Sequence, residues 1–214
     1  MAKEGLRPVL LATFLGLVSW SIAWLYRCMP ALVIATIFSV FAFLLVFFFR
    51  DPKRKIPLGE DLVVSPADGR IDEIESLHSV DFLEGAGLKI GIFMSILNMH
   101  INRLPISGEV KYIRYKRGKF MPAFKRKSAE ENAQTEVGVE NPKIKIILRQ
   151  IVGLTARRII CNLKVGDKVK MGAKFGMIKF GSRVELVLPQ GVEIKVKLRD
   201  KVRSGETVMA VLKK

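Results

Sequence analysis

Residues 175–189, FGMIKFGSRVELVLP, set a Gly-Ser pair, Gly181-Ser182, between two apolar runs rich in Ile, Val and Leu. Short runs of this composition, bounded by Gly and Pro, read as strands. A serine beside a glycine carbonyl at such a boundary also has a chemical reading. Its hydroxyl attacks the main chain, cuts it and becomes a new electrophile. Taken alone a Gly-Ser pair is more often a turn, so the chemical reading depends on the rest of the chain.

Outward from this stretch the pattern repeats. Short β-like runs fall at 61–65, 70–75, 88–94, 108–115, 143–152, 157–163, 175–180, 183–188, 192–198 and 207–212. Helical periodicity is scarce after residue 60; the polar stretch 125–136 reads as a loop or short helix. Asp167–Gly172 (DKVKMG) is echoed by Asp200–Gly205 (DKVRSG), each before an apolar run. Residues 165–178, VGDKVKMGAKFGMI, are similar to the hairpins of biotinyl and lipoyl carrier domains, but without the modified-lysine setting. The likeness is architectural. The expectation is a mainly β, barrel-sandwich-like domain over 61–214, after a polar, Pro-containing linker at 51–60.

The first 50 residues differ. Residues 8–25 and 29–49 carry no charge, and each is long enough for a membrane helix. Only Tyr26, Arg27 and Cys28 separate them, so they form a transmembrane helical hairpin, residues 1–50 being the anchor. Lys3 and Arg7 precede it, and Arg50, Lys53, Arg54 and Lys55 follow it. The positive-inside rule puts both ends and the β domain on the cytoplasmic side of the cell membrane. A re-entrant hairpin and a cleaved signal peptide are the competing readings.

The net charge is +16, and residues 1–50 hold only four of the 36 basic and one of the 20 acidic side chains. Residues 51–214 therefore carry +13, which points to anionic lipid heads, with nucleic acid the rival partner. Two cysteines and two histidines without clustering give no disulfide framework and no metal site.

Three segments carry candidate chemistry. Asp68 in SPADG (65–69) is a turn former or an orienting carboxylate. His100, in NMHINRLP (98–105), emerges from an apolar run and suits proton transfer near neutral pH; His78 reads as a surface-loop residue. Residues 111–127, KYIRYKRGKFMPAFKRK, hold eight Lys or Arg among seventeen residues. Phe120, Met121 and Phe124 stand between the basic groups, and Lys125 and Arg126 follow them. This is the pattern of a loop that dips apolar side chains into an interface while cations hold phosphates. Single-stranded nucleic acid is the alternative.

SPADGRI (65–71), IGIFMSILNMHINRLPISGEV (90–110), GKFMPAFKRKSAEEN (118–132) and GMIKFGSRVELVLP (176–189) together resemble the phosphatidylserine decarboxylase family in its short, membrane-anchored form. The resemblance implies a self-processing proenzyme, cut between Gly181 and Ser182 by serinolysis. Ser182 becomes a pyruvoyl group that forms a Schiff base with the substrate amine, in the role that pyridoxal phosphate plays elsewhere, so neither that cofactor nor a metal is implied. The two chains stay together as a heterodimer. The implied reaction converts phosphatidylserine to phosphatidylethanolamine and CO2. Archaetidylserine decarboxylation and a non-enzymatic, membrane-tethered binding module are the alternatives. The implied catalytic residues are Ser182, His100 and Asp68. Arg103, where longer members carry a second histidine, is implied as a ligand of the substrate carboxylate or phosphate.

Overall fold

The computed structural model describes residues 1–122, 128–154, 158–178 and 182–213. The chain divides into two compact units, Met1–Lys53 and Arg54–Lys214. The first is a helical hairpin, α1 (Lys3–Tyr26) and α2 (Met29–Phe48), with Arg27 in the left-handed region between them. Both helices are long and apolar enough to cross a bilayer. Small residues line the face they share: Gly5, Ala12 and Gly16 on α1, Ala31 and Ala35 on α2. Between apolar helices in lipid, close backbone approach replaces the hydrophobic drive. Trp20 Nε1 donates to Ser39 Oγ at 3.2 Å, tying the pair midway. The outward faces, with Leu10, Phe14, Phe41 and Phe43, remain exposed.

The second unit is mainly β, as the sequence predicts. Its strands are β1 (Leu62–Val64), β2 (Gly69–Val80), β3 (Gly85–Met94), β4 (Ile101–Arg103), β5 (Gly108–Lys116), β6 (Gln134–Glu140), β7 (Lys145–Ile151) and β8 (Ile159–Cys161). They continue with β9 (Lys168–Val169), β10 (Lys174–Ile178), β11 (Ser182–Pro189), β12 (Glu193–Ile194), β13 (Lys201–Val202) and β14 (Val208–Val211). Eight of them form one curled antiparallel sheet in the order β13-β2-β3-β11-β7-β6-β5-β9. Two three-stranded sheets, β1-β14-β12 and β4-β10-β8, complete the unit. The hollow of the large sheet holds the core, with Ile71, Ile92, Leu148, Phe175 and Leu186 fully buried.

The outer face is not simply solvated. A 3-10 turn, Asp81–Leu83, packs Phe82 and Leu83 against Val80, Ile147 and Val187. Beside it lies a charged ladder that runs across five strands. Arg183 pairs with Asp72, Glu73 and Glu185, while Lys89 pairs with Glu73 and Glu75. Arg149 pairs with Glu136 and Glu185, and Tyr112 Oη donates to Glu136 at 2.9 Å. The Arg183 guanidinium crosses β3 directly above Gly91, where a Cβ would stand 2.0 Å from Nη2. Covered on both faces, β11 is buried from Ser182 to Leu188.

Several local expectations are corrected. β6 begins at Gln134, inside the stretch read as loop or helix; a single turn of helix, α3 (Ser128–Glu131), precedes it. His78 lies on β2, exposed, rather than in a loop. The run expected at 192–198 is a strand only over Glu193–Ile194, with Lys195 N still donating to Met209 O, because Lys197–Asp200 closes a tight turn.

Candidate active site

Ser182 opens β11 opposite Met94, the last residue of β3, and is fully buried. Its Oγ donates to Met94 Sδ at 3.6 Å. A thioether is a weak acceptor, so the hydroxyl is held without being strongly engaged. Met94 Sδ also receives Asn102 Nδ2, at 3.9 Å. Asn102 Oδ1 in turn accepts from Gln150 Nε2 at 2.8 Å, and that nitrogen also reaches Ile160 O at 3.5 Å. A polar string, Ser182–Met94–Asn102–Gln150, thus runs through the interior at one end of the sheet. Gln150 Oε1 and the neighbouring Thr135 Oγ1 are buried and have no hydrogen-bond partner among the described residues. Buried acceptors of this kind are uncommon in a finished core.

His100 is fully buried just before β4, and its carbonyl accepts from Ile178 N at 3.3 Å. The end of β10 is thereby fixed against His100 four residues before Ser182. Asn102, two residues on from His100, brings the same segment to Met94.

Asp68 sits in the Ser65–Gly69 turn. Ser65 Oγ donates to Ala67 O at 2.8 Å, and Pro66 O accepts from Arg103 N at 2.9 Å. Gly69 passes so near β3 that a Cβ would stand 2.3 Å from Phe93 O. Both carboxylate oxygens of Asp68 accept from Arg54 Nη2, at 2.9 and 2.8 Å, and Oδ1 also accepts from Ser204 N at 2.8 Å. Arg54 Nη2 touches Met99 Sδ at 3.4 Å, and Nη1 reaches Glu206 at 3.3 Å. Arg54 therefore links Asp68 to the residue next to His100. Its side chain is only 7 % exposed, so this is a buried ion pair, held by geometry and extra hydrogen bonds. Glu206 is held below its ordinary pKa by the Lys55 N–H, against burial, with Arg54 adding to the effect.

Arg103 lies on β4, buried, with Nη1 donating to Gly172 O at 2.9 Å and Cδ against Gly205. Phe120 is exposed and Met121 half-buried. Asn132 clamps that loop: its Oδ1 accepts from Met121 N at 2.9 Å, and its Nδ2 donates to Met121 O and Val152 O, both at 2.8 Å. Phe124, Lys125, Arg126 and Gly181 lie outside the described residues. Arg54, Met94, Asn102 and Gln150 had not been singled out from the sequence. Among the described residues no group of three or more His, Cys, Asp or Glu is arranged to hold a metal.

The sequence model of the family described as phosphatidylserine decarboxylase matches residues 41–210. A phosphatidylserine decarboxylase proenzyme from Wolbachia sp. subsp. Brugia malayi is 42 % identical, over 99 % of this chain and 91 % of the relative. Proteins of the same name from Carboxydothermus hydrogenoformans and Desulfotalea psychrophila are 43 % and 40 % identical. The first alignment covers 83 % of both chains, the second 98 % of this chain and 95 % of the relative. The family match runs through the Asp68 turn and the junction of β10 with β11, and the chain belongs to the phosphatidylserine decarboxylase family of carboxy-lyases.

Proposed function

We propose that the chain is a proenzyme that cuts itself between Gly181 and Ser182 and then converts phosphatidylserine to phosphatidylethanolamine and CO2. The observation that carries this reading is the setting of Ser182: buried, first on a central strand, its hydroxyl facing, among the described residues, only a soft thioether. Ser182 Oγ attacks the Gly181 carbonyl carbon; the peptide bond breaks and an ester forms. Loss of the Ser182 α-proton expels the Gly181 carboxylate, and hydrolysis of the resulting dehydroalanine releases ammonia and leaves a ketone. Ser182 fits that outcome, because it is fully buried and, among the described residues, its hydroxyl meets only the weak acceptor Met94 Sδ. The pyruvoyl group so made supplies the electron sink that decarboxylation of an amino acid requires.

The strand order supports a heterodimer. Residues after the cut contribute β11, between β3 and β7, together with β13 on β2 and β14 on β1. Each of these neighbours precedes the cut, so separating the chains would mean unzipping all four strand pairings.

His100, beside Met99 and the Ile178 anchor, is assigned to move protons: it delivers one to the product α-carbon and assists cleavage. Asp68, oriented by Arg54 and Ser204 N, sets the charge of that corner. Arg103 is better placed to brace the Gly172 and Gly205 turns than to meet substrate. The cations on both flanks of the helical hairpin favour a cytoplasmic location for the β unit, although Arg54 is spent on Asp68. Archaetidylserine, with the same head group, is the alternative substrate.

The test is intact mass under denaturing conditions. Two chains divided at 181/182, the smaller lacking the serine nitrogen, are expected, and Ser182→Ala should give one uncut chain. Wild-type protein that stays at 24.0 kDa with an ordinary Ser182 after incubation with membranes would refute the reading in favour of a binding module. Assays on ester and ether lipids then choose the substrate.

A further inference from the structure

A cleft of about 550 Å3 opens beside Asp68, lined by Arg70, Phe93, Ser95, Asn98, Lys201 and Arg203 among others. Three of these are cations. Arg70 and Lys201 face each other across the β2–β13 pair and form no ion pair with a described residue. Arg203 is 75 % exposed and only 3.9 Å from its nearest carboxylate, Glu206. The carboxylate of Asp68 is already neutralised by Arg54, so the cleft presents unspent positive charge.

On its rim the chain makes a tight turn. Ser95 N and Oγ both donate to Asn98 Oδ1, at 2.9 and 2.8 Å, and Asn98 N donates to Ser95 O at 3.0 Å. The turn holds out the two residues between them. Ile96 is 59 % and Leu97 69 % exposed. Two adjacent aliphatic side chains on a pinned tip, next to cations, match an interface where apolar groups enter the acyl boundary and cations hold phosphates. A chain tethered by an apolar hairpin meets one anionic surface at high effective concentration, that of its own bilayer.

We propose that the Arg70–Lys201–Arg203 cleft and the Ile96–Leu97 tip form a docking surface for anionic phospholipid, which brings a head group to the mouth beside Asp68. The inference deepens the lipid-decarboxylase reading, and its test needs no turnover. In a full-length Cys28→Ser/Cys161→Ser background, Leu97→Cys carries an environment-sensitive fluorophore and the protein is reconstituted into vesicles. Blue-shifted emission is expected when phosphatidylglycerol is added to phosphatidylcholine. Each cation near such a surface contributes about fivefold to docking, so Arg70→Gln/Lys201→Gln should lower the ratio of inserted to free label about 25-fold.

An emission shift equal in neutral vesicles, or one that survives the double cation substitution, would overturn the proposal. So would a shift produced by inorganic phosphate alone, which marks a small-anion site, or displacement of the label by an oligonucleotide. The same measurement on Ser182→Ala separates the two claims: an uncut chain that docks keeps this inference whatever becomes of the enzymology.

Discussion

Ser182 and Arg183 are consecutive residues on one strand, and they face opposite worlds. Ser182 points into the hollow, where its partner is a thioether and the nearby Gln150 Oε1 and Thr135 Oγ1 go unmet among the described residues. Arg183 points outward, only 4 % exposed, and satisfies three carboxylates from two other positions on β2 and one on its own strand. Alternation along a strand makes such a division available at no cost in chain length. The outer ladder spends its polar groups on one another and fixes the register of β2, β3, β11, β7 and β6. The inner string leaves capacity uncommitted. Among the described residues, polar groups are paired on one face and left partly open on the other.

The sharpest way to break this comparison is Arg183→Ala. It leaves Asp72, Glu73 and Glu185 without their shared cation, Glu185 being 1 % exposed. Breaking a buried pair from one side costs about 3–5 kcal/mol. Chemical denaturation should show that loss. A change below about 1 kcal/mol would mean that the ladder is ornamental, and the division of labour would fall with it.

Gln150→Leu probes the inner face with the opposite expectation. It removes one hydrogen bond to Asn102, and the lost Oε1 takes a buried, unmet acceptor with it. The expected loss of stability is only about 1 kcal/mol. Self-cleavage, followed by the appearance of the small chain, should slow about tenfold or more, since 1.4 kcal/mol of misplacement already has that effect. Unchanged cleavage with a large loss of stability would make the inner string a structural network like the outer one.

The two faces were unequally legible in the sequence. The helical hairpin, the 183–188 run and Ser182 at its head could be read from composition and punctuation alone. Glu185 and Arg183 alternate with Val184 and Leu186, so their outward phase was readable, but not their partners on β2 and β7. Gln150 gave a usable signal that went unused: it continues the inward phase of Ile146 and Leu148, where a polar residue is out of place. Arg54 gave none, because among four juxtamembrane cations nothing local distinguishes the one that turns back onto Asp68. β4, β9 and β13 are two or three residues long, and only their partners define them. β6 was hidden by the polar sequence that leads into it. The roles of His100 and Asp68 came from resemblance, since composition reads them equally well as a buried histidine and a turn former.

A finer distinction lies between the ladder and the Arg54 clamp, whose responses to acid have opposite signs. Asp72, on the ladder, has its pKa raised by burial, against the pull of Arg183. Its folded form prefers the proton. The stability it contributes is complete below the unfolded value, about 3.9, and is lost as pH rises through the raised one. Glu206, on the Arg54 clamp, has its pKa lowered by the Lys55 N–H and Arg54. Its contribution is present above the unfolded value, about 4.3, and is lost as pH falls through the lowered one. Against wild type, Asp72→Asn should therefore gain relative stability as pH rises above about 4, while Glu206→Gln should lose it as pH rises towards about 4.3. Both effects should stay within about 1 kcal/mol, because each group keeps partial contact with water. Denaturation curves at a series of pH values, with both variants in parallel, read the two slopes. Slopes of the same sign would mean that ladder and clamp respond to acid as one electrostatic unit, and that the ladder is not set apart by its charges.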